Sequence, residues 1–300
     1  MFSGSSVAVV TPMHPDGAID FEAWHRLLEF HLSGGTSAVV VGGTTGESAT
    51  ITDGELKDLV VKARDFARGR MAIIAGAGVS STALTVERAR WLSDLKIDGL
   101  LVVTPAYVKP TQEGLFQHYA AVAAASSVPV VLYNVPGRAG VDLLPATVAR
   151  LTAIPRILAI KEAVPGPERV RAILALAPEF VVLSGDDATC REAVLAGARG
   201  VISVTANVAP KAMSAMIAAA IAGDAARATT LDTPLAALHR DLFVEGNPIP
   251  VKWVLERMGM IRSGIRLPMT PLSGAYHERV ASAMAAAGLK QEPRGSSIHE

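Results

Sequence analysis

One cysteine, Cys190, stands in 300 residues, which excludes an internal disulfide and any CxxC metal or redox pair. Its surroundings, DDATCREAVLAGA, read as an amphipathic helix, so a buried structural thiol is expected. Charge is sparse and balanced: 19% of residues are charged, and 28 Lys and Arg meet 28 Asp and Glu. A formal charge of zero gives no electrostatic pull toward nucleic acid or an anionic membrane surface. The start, MFSGSSVAVVTPM, lacks the basic and long apolar segments of a signal peptide. No run reaches the length of a membrane span, because Lys211 and Asp224 bracket even the Ala-rich stretch between them. A soluble, cytoplasmic protein is expected. The histidines (His14, His25, His31, His118, His239, His277 and His299) show neither HxH nor HExxH spacing, so no metal site is expected. A GxGxxG fingerprint and a P-loop are both lacking, which leaves no nucleotide-binding or phosphate-binding reading. Ser184, in LSGDD, lacks the nucleophile-elbow pattern, and Asp186 and Asp187 are expected to cap the next helix.

What the chain has is apolar residues, half of the total, and that rules out disorder for most of its length. They fall into eight short runs: 6–12, 37–44, 71–78, 99–105, 128–136, 156–163, 180–187 and 200–208. Each is continuous in Val, Ile, Leu and Ala rather than alternating with polar residues, as in a parallel strand covered on both faces. Between them lie helical patterns. In ITDGELKDLVVKARDFARG, Thr52 and Glu55 have capping-box spacing, and Leu56, Leu59, Val60 and Ala63 form the apolar stripe. Strand then helix, eight times in about 210 residues, predicts an α/β fold of the (β/α)8 TIM-barrel type. A doubly wound open sheet is the runner-up, but its phosphate fingerprint after the first strand is missing. After residue 208 the strand pattern stops, and helices are expected over 210–223, 225–243, 249–260 and 275–288. The expected division is a barrel over 1–224, a C-terminal helical subdomain over 225–290, and a loose polar tail over 291–300.

A barrel gathers its chemistry at the C-terminal ends of its strands. In RILAIKEA, period two puts Ile157, Ala159 and Lys161 on one face and Leu158, Ile160 and Glu162 on the other. Lys161 then points where apolar neighbours point, and desolvation there favours the neutral, nucleophilic amine. The plainer alternative is a lysine that snorkels out at the strand end or pairs with a carboxylate. GGTTGES, after the second strand, sets Thr44 and Thr45 beside successive backbone N–H groups. That is either a nest for a small carboxylate or an ordinary turn. In YNVPGR, Tyr133 either relays protons near Lys161 or satisfies a buried hydrogen bond. Arg138 either grips a carboxylate with two parallel bonds or is an exposed loop arginine. Tyr107, in TPAYVKP, is ambiguous by itself.

Together, GGTTGES, TPAYVKP, YNVPGR, IKEA and GVISVTANV, in this order and spacing, resemble the dihydrodipicolinate synthase/N-acetylneuraminate lyase family. The resemblance runs on through NPIPVKW and RLPMTPL, nearly the whole chain. It implies that Lys161 forms an imine with pyruvate, with no other cofactor. It also implies that Thr44 and Thr45 hold the pyruvate carboxylate, and that Thr44, Tyr133 and Tyr107 relay protons. In many members the tyrosine matching Tyr107 enters from a neighbouring subunit, so a homotetramer is implied. Gly185 and Ile202 match positions lining the pyruvate pocket.

YNVPxR is similar to the synthase branch of the family, where Arg138 would bind the carboxylate of L-aspartate 4-semialdehyde. The product implied is 4-hydroxy-tetrahydrodipicolinate, on the way to diaminopimelate and lysine. A 2-oxo-3-deoxy-sugar-acid or N-acetylneuraminate aldolase shares Lys161, Tyr133 and the threonine pair, but not Arg138. A non-catalytic carboxylate-binding barrel would normally have lost the lysine or the tyrosine. Lysine-inhibited members carry polar and aromatic residues at the positions of Asp53, Leu56, Ser80, Leu84 and Ala106. Here Leu56, Leu84 and Ala106 offer no such side-chain bonds, although Ser48 and Ala49 match, so weak or absent inhibition by L-lysine is implied.

Overall fold

The computed structural model describes residues 2–291. Seven of the eight apolar runs contain a strand, and the first, 6–12, overlaps one that starts two residues earlier: β1 Gly4–Ala8, β2 Ala38–Val41, β3 Ala72–Gly76, β4 Gly99–Val103, β5 Val130–Asn134, β6 Ile157–Glu162, β7 Val181–Ser184 and β8 Gly200–Ser203. Every neighbouring pair is parallel, and β8 returns to β1, closing the barrel in sequence order. Ala8, Val40, Ile74, Leu101, Val131 and Leu183 fill the interior. Phe2 packs at its lower end, against Gly99 at the start of β4. A second, larger apolar layer lies between the strands and the surrounding helices. Two buried layers explain why the strands read as continuous apolar runs.

Local chemistry sets the helices. Thr52 Oγ1 accepts from Glu55 N at 3.2 Å, and a Glu55 carboxylate oxygen accepts from Thr52 N at 2.8 Å. That capping box opens the helix Asp53–Ala67, whose Leu56, Leu59, Val60 and Ala63 are all buried. Cys190 is fully buried, as expected, at the start of the helix Cys190–Leu195.

Three expectations need correcting. Strict alternation does not hold along β6, because the register with β5 shifts between Val130 and Val131. Leu158 is displaced to the surface, 47% exposed, and Ile157 joins the outer layer while Ala159 faces inward. A bulge adds one residue and flips whatever precedes it, so only Ala159 shares the inner face with Lys161. Residues 225–243 are not one helix: Ala225–Asp232 passes into a 3-10 turn, Thr233–Leu235, and then Ala236–Asp241. Pro234 lacks the N–H that a continuous helix would use there. Asp186 does accept from Thr189 N at 3.0 Å, just before its helix, but Asp187 reaches elsewhere. Its carboxylate accepts from Val204 N and Thr205 N, both at 2.9 Å, in the turn after β8.

The helix Pro210–Ile221 packs on β1 and completes the outer ring. Beyond it, the helices Ile249–Arg257 and His277–Ala286 lie against each other. The tail set apart at 291–300 lies, beyond Gln291, outside the described residues. Among the described residues no helix is long and apolar enough to cross a membrane.

Candidate active site

Lys161 sits at the upper end of β6, only 5% exposed, in register with Tyr133 of β5 and Leu183 of β7. Its ammonium nitrogen lies 4.4 Å from the centroid of the Tyr133 ring. Among the described residues no carboxylate comes within ion-pair distance of it. The aromatic face is the main compensation for its burial, a weaker partner than an acid. That arrangement leaves the amine available for bond formation.

Gly185, after β7, makes room for it. A Cβ at that position would stand 3.0 Å from both Cγ and Cε of Lys161, and 3.0 Å from Ala163 Cβ. Ile202 is buried on β8 and belongs to the same inner layer. Across the mouth, Thr44 and Tyr133 line one narrow cavity of about 20 Å³, together with Ser48 and Leu101. That is close to the space a single water needs. The loop carrying Thr44 approaches β3 so closely that a Cβ on Gly76 would fall 2.1 Å from Gly42 O. Thr45 is buried, and its hydroxyl accepts from Asn247 Nδ2 at 2.9 Å.

Two sequence candidates stand apart from this cluster within one chain. Tyr107 is 92% exposed and has a left-handed φ of 72°, with its N–H donating to Ala139 O at 3.2 Å. Arg138, in the short helix Pro136–Ala139, is exposed and forms no ion pair among the described residues.

Sequence reading missed the polar layer behind the site. Asn134 Nδ2 donates to both Glu162 carboxylate oxygens, at 3.0 and 3.1 Å, and to Asp142 Oδ1 at 2.8 Å. Burial pushes the Glu162 carboxyl up to about 7, against the opposing pull of its bonds from Val164 N and Asn134. The available signal was that Asn134 and Glu162 directly follow Tyr133 and Lys161. Lys252 also escaped notice: it is a second buried lysine, but it is ion-paired with Glu47.

A closed parallel barrel with one unpaired buried lysine at its mouth, facing a tyrosine, defines a lysine-dependent enzyme of carbonyl substrates. The dihydrodipicolinate synthetase family model matches residues 1–287, and the chain belongs to that family. It is 52% identical to the 4-hydroxy-tetrahydrodipicolinate synthase of Methylococcus capsulatus over 290 residues, 96% of this chain and 100% of the relative. Among solved structures it resembles the chloride-inhibited dihydrodipicolinate synthase of Acinetobacter baumannii complexed with pyruvate. That match has a TM-score of 0.95 and 48% identity, covering 97% of this chain and 100% of that one. Dihydrodipicolinate synthase from Thermotoga maritima matches with a TM-score of 0.94 and 40% identity, covering 97% and 100%. The family's enzymes are class I lyases that work through a covalent pyruvate–lysine imine with no external cofactor.

Proposed function

We propose that this chain is a 4-hydroxy-tetrahydrodipicolinate synthase, condensing pyruvate with L-aspartate 4-semialdehyde through an imine on Lys161. The observation that carries this reading is Lys161 itself, buried, without an acid partner, against the Tyr133 ring. Its Nζ attacks C2 of pyruvate, and loss of water leaves an imine whose protonated form is an electron sink. Loss of a C3 proton then gives an enamine that attacks the aldehyde carbon of the second substrate. The substrate's own amine next attacks C2, closes the ring and returns Lys161 to its free form.

The roles around it follow from placement. Thr44 and Tyr133 share a cavity wide enough for one water, which suits a short proton relay between hydroxyls. Thr45, steadied by Asn247, is assigned with Thr44 to the pyruvate carboxylate. Arg138 is assigned to the carboxylate of the semialdehyde. Tyr107 is assigned to complete the relay of a neighbouring subunit, because its own ring stands in solvent. The assembly in this reading is a homotetramer, and its compartment is the cytoplasm.

The test is turnover of pyruvate plus L-aspartate 4-semialdehyde, coupled to the NADPH-dependent reductase that consumes the product. Robust NADPH oxidation supports the reading. No turnover, with pyruvate still trapped on Lys161 by borohydride, would move the search to sugar-acid aldehydes. Failure to trap pyruvate would sink the imine chemistry as well.

Two further outcomes are expected. Gly185→Ala should lower kcat/KM by about 10- to 100-fold, because a 3.0 Å contact displaces the Lys161 side chain and small misplacements of a nucleophile are costly. Steady-state kinetics with an unchanged far-UV spectrum checks it. L-lysine should leave the enzyme uninhibited at low millimolar concentration. Leu56 is buried, Leu84 offers only hydrocarbon, Asp53 is paired with Arg88, and Ser80 Oγ already donates to Ala106 O. An initial-rate titration with L-lysine decides the point.

A further inference from the structure

The four residues that end β5 and β6 form two layers. In register, Tyr133 stands opposite Lys161, and Asn134 opposite Glu162. The first pair faces into the barrel. The second faces outward and is nonetheless buried, Asn134 at 0% exposure and Glu162 at 2%. Every polar atom of the outer pair is bonded. Asn134 Nδ2 bridges Glu162 and Asp142, Asn134 Oδ1 accepts from Leu143 N at 2.9 Å, and Glu162 Oε1 accepts from Val164 N at 2.9 Å. Asp142 in turn pairs with Arg169 at 2.7 Å. So much bonding beneath a two-strand junction is more than solubility or packing requires.

We propose that Glu162 is a positioning residue: through Asn134 it locks the register that sets Lys161 against Tyr133, and its charge state is felt by the iminium on Lys161. This rests on Lys161 being the imine-forming residue. Register is the weak point of β6, since the strand carries a bulge at its lower end. A slip there would rotate Lys161 out of the barrel, because side chains alternate along a strand. The side-chain tie from Asn134 to Glu162 sits one position past the reactive pair and opposes such a slip. The backbone adds to it: Ala163 N donates to Asn134 O at 3.0 Å, and Gly185 N donates to Glu162 O at 2.7 Å.

Several ionisable groups surround Glu162. The cluster holds two carboxylates, Glu162 and Asp142, and one cation, Arg169 from the helix Glu168–Leu176. Tyr119, from the helix Gln112–Ala125, also faces Glu162, but burial holds its phenol far up, and it stays neutral. Lys161 is the remaining charged neighbour, on the far side of the same strand. Burial holds the Glu162 carboxyl up at about 7 against its bonds from Val164 N and Asn134 and the pull of Arg169, and Asp142 adds a smaller push in the same direction. Ionising Glu162 places a negative charge behind the cationic iminium and changes how readily it gives up its C3 proton.

The test is kcat as a function of pH between about 5.5 and 9 for the wild type, Glu162→Gln and Asp142→Asn, with Glu162→Ala measured at one pH. The wild type should show an inflection near 7. Glu162→Gln, which keeps the shape but cannot ionise, should stay within a few-fold of the wild type and lose that inflection. Asp142→Asn should move it to lower pH. Glu162→Ala should lower kcat about 10- to 100-fold, with the KM for pyruvate changing much less. A Glu162→Gln profile identical to the wild type's overturns the proposal even if the alanine variant does not fold. So does a Glu162→Ala enzyme within twofold of the wild type in kcat. Borohydride trapping of pyruvate on the wild type reports separately on Lys161, so the two readings fail in distinguishable ways.

Discussion

Replacing Lys161 with alanine should abolish turnover, lowering kcat by roughly four orders of magnitude or more while leaving the fold intact. No other lysine can take its place. Lys252 is buried but ion-paired with Glu47 and bonded to Thr11 O at 3.0 Å. Lys109 is exposed in the loop after β4, with a left-handed φ of 46°. Borohydride with pyruvate should therefore leave the variant unlabelled and label the wild type once. Stability should move the other way. Lys161 buries a polar amine with only an aromatic face for company, which costs the fold free energy. Lys161→Met, which fills the same space with apolar atoms, should be more stable than the wild type by about 1 kcal/mol, a rise of about 2 °C in Tm. Calorimetry and the coupled assay together test both halves. Residual turnover within a hundredfold of the wild type would place the nucleophile elsewhere.

The barrel was legible because burial on both faces leaves a signature that needs no partner: a short continuous run of Val, Ile, Leu and Ala. All eight such runs overlap strands, and the capping box at Thr52 marks the start of a helix with its stripe correctly buried. What failed was whatever depended on a neighbouring strand. The bulge that turns Ile157 and Leu158 away from the barrel is a feature of the β5–β6 pairing, and period two along one strand cannot show it. The same limit applied to Asp187. Its bonds reach Val204 N and Thr205 N in the turn after the neighbouring strand, β8, rather than the next turn of its own segment.

The site divides in the same way. Lys161 was visible because a cation inside an apolar run is an anomaly of one segment. Tyr133 could be placed near it from its position at the end of the fifth apolar run, Gly185 only through resemblance, and the structure brings all three together. The polar layer of Asn134, Glu162, Asp142 and Arg169 joins two separate stretches of chain, 134–142 and 162–169, so no local pattern announced it. Lys252 sits in a helix with apolar neighbours, and its partner Glu47 lies 205 residues away in the chain, beyond the reach of any local pattern.

That pairing sets the second large effect. Lys252→Met should destabilise the protein by about 3–5 kcal/mol, with Tm falling by roughly 10 °C. The Glu47 carboxylate has no exposed surface, and without the ammonium it keeps only a 3.3 Å bond from Arg266 N. Burial outweighs Glu47 in its effect on Lys252, drawing the ammonium below its usual range. The pair as a whole therefore stabilises little against an apolar equivalent. The double variant Glu47→Gln/Lys252→Met should recover most of the loss, and a double-mutant cycle by thermal melting measures the coupling. A drop under 1 kcal/mol for Lys252→Met would mean that water reaches Glu47. Activity should register the same break. Glu47 has a left-handed φ of 58° two residues after Thr45, and its N–H donates to Thr44 O at 3.1 Å. The ion pair holds that turn from below, while Asn247 steadies Thr45 from the side. Both ties come from the C-terminal helical region, so releasing one should raise the KM for pyruvate more than it lowers kcat. The helices beyond the barrel would then act on the substrate by holding the threonine loop in shape, without any of them touching it.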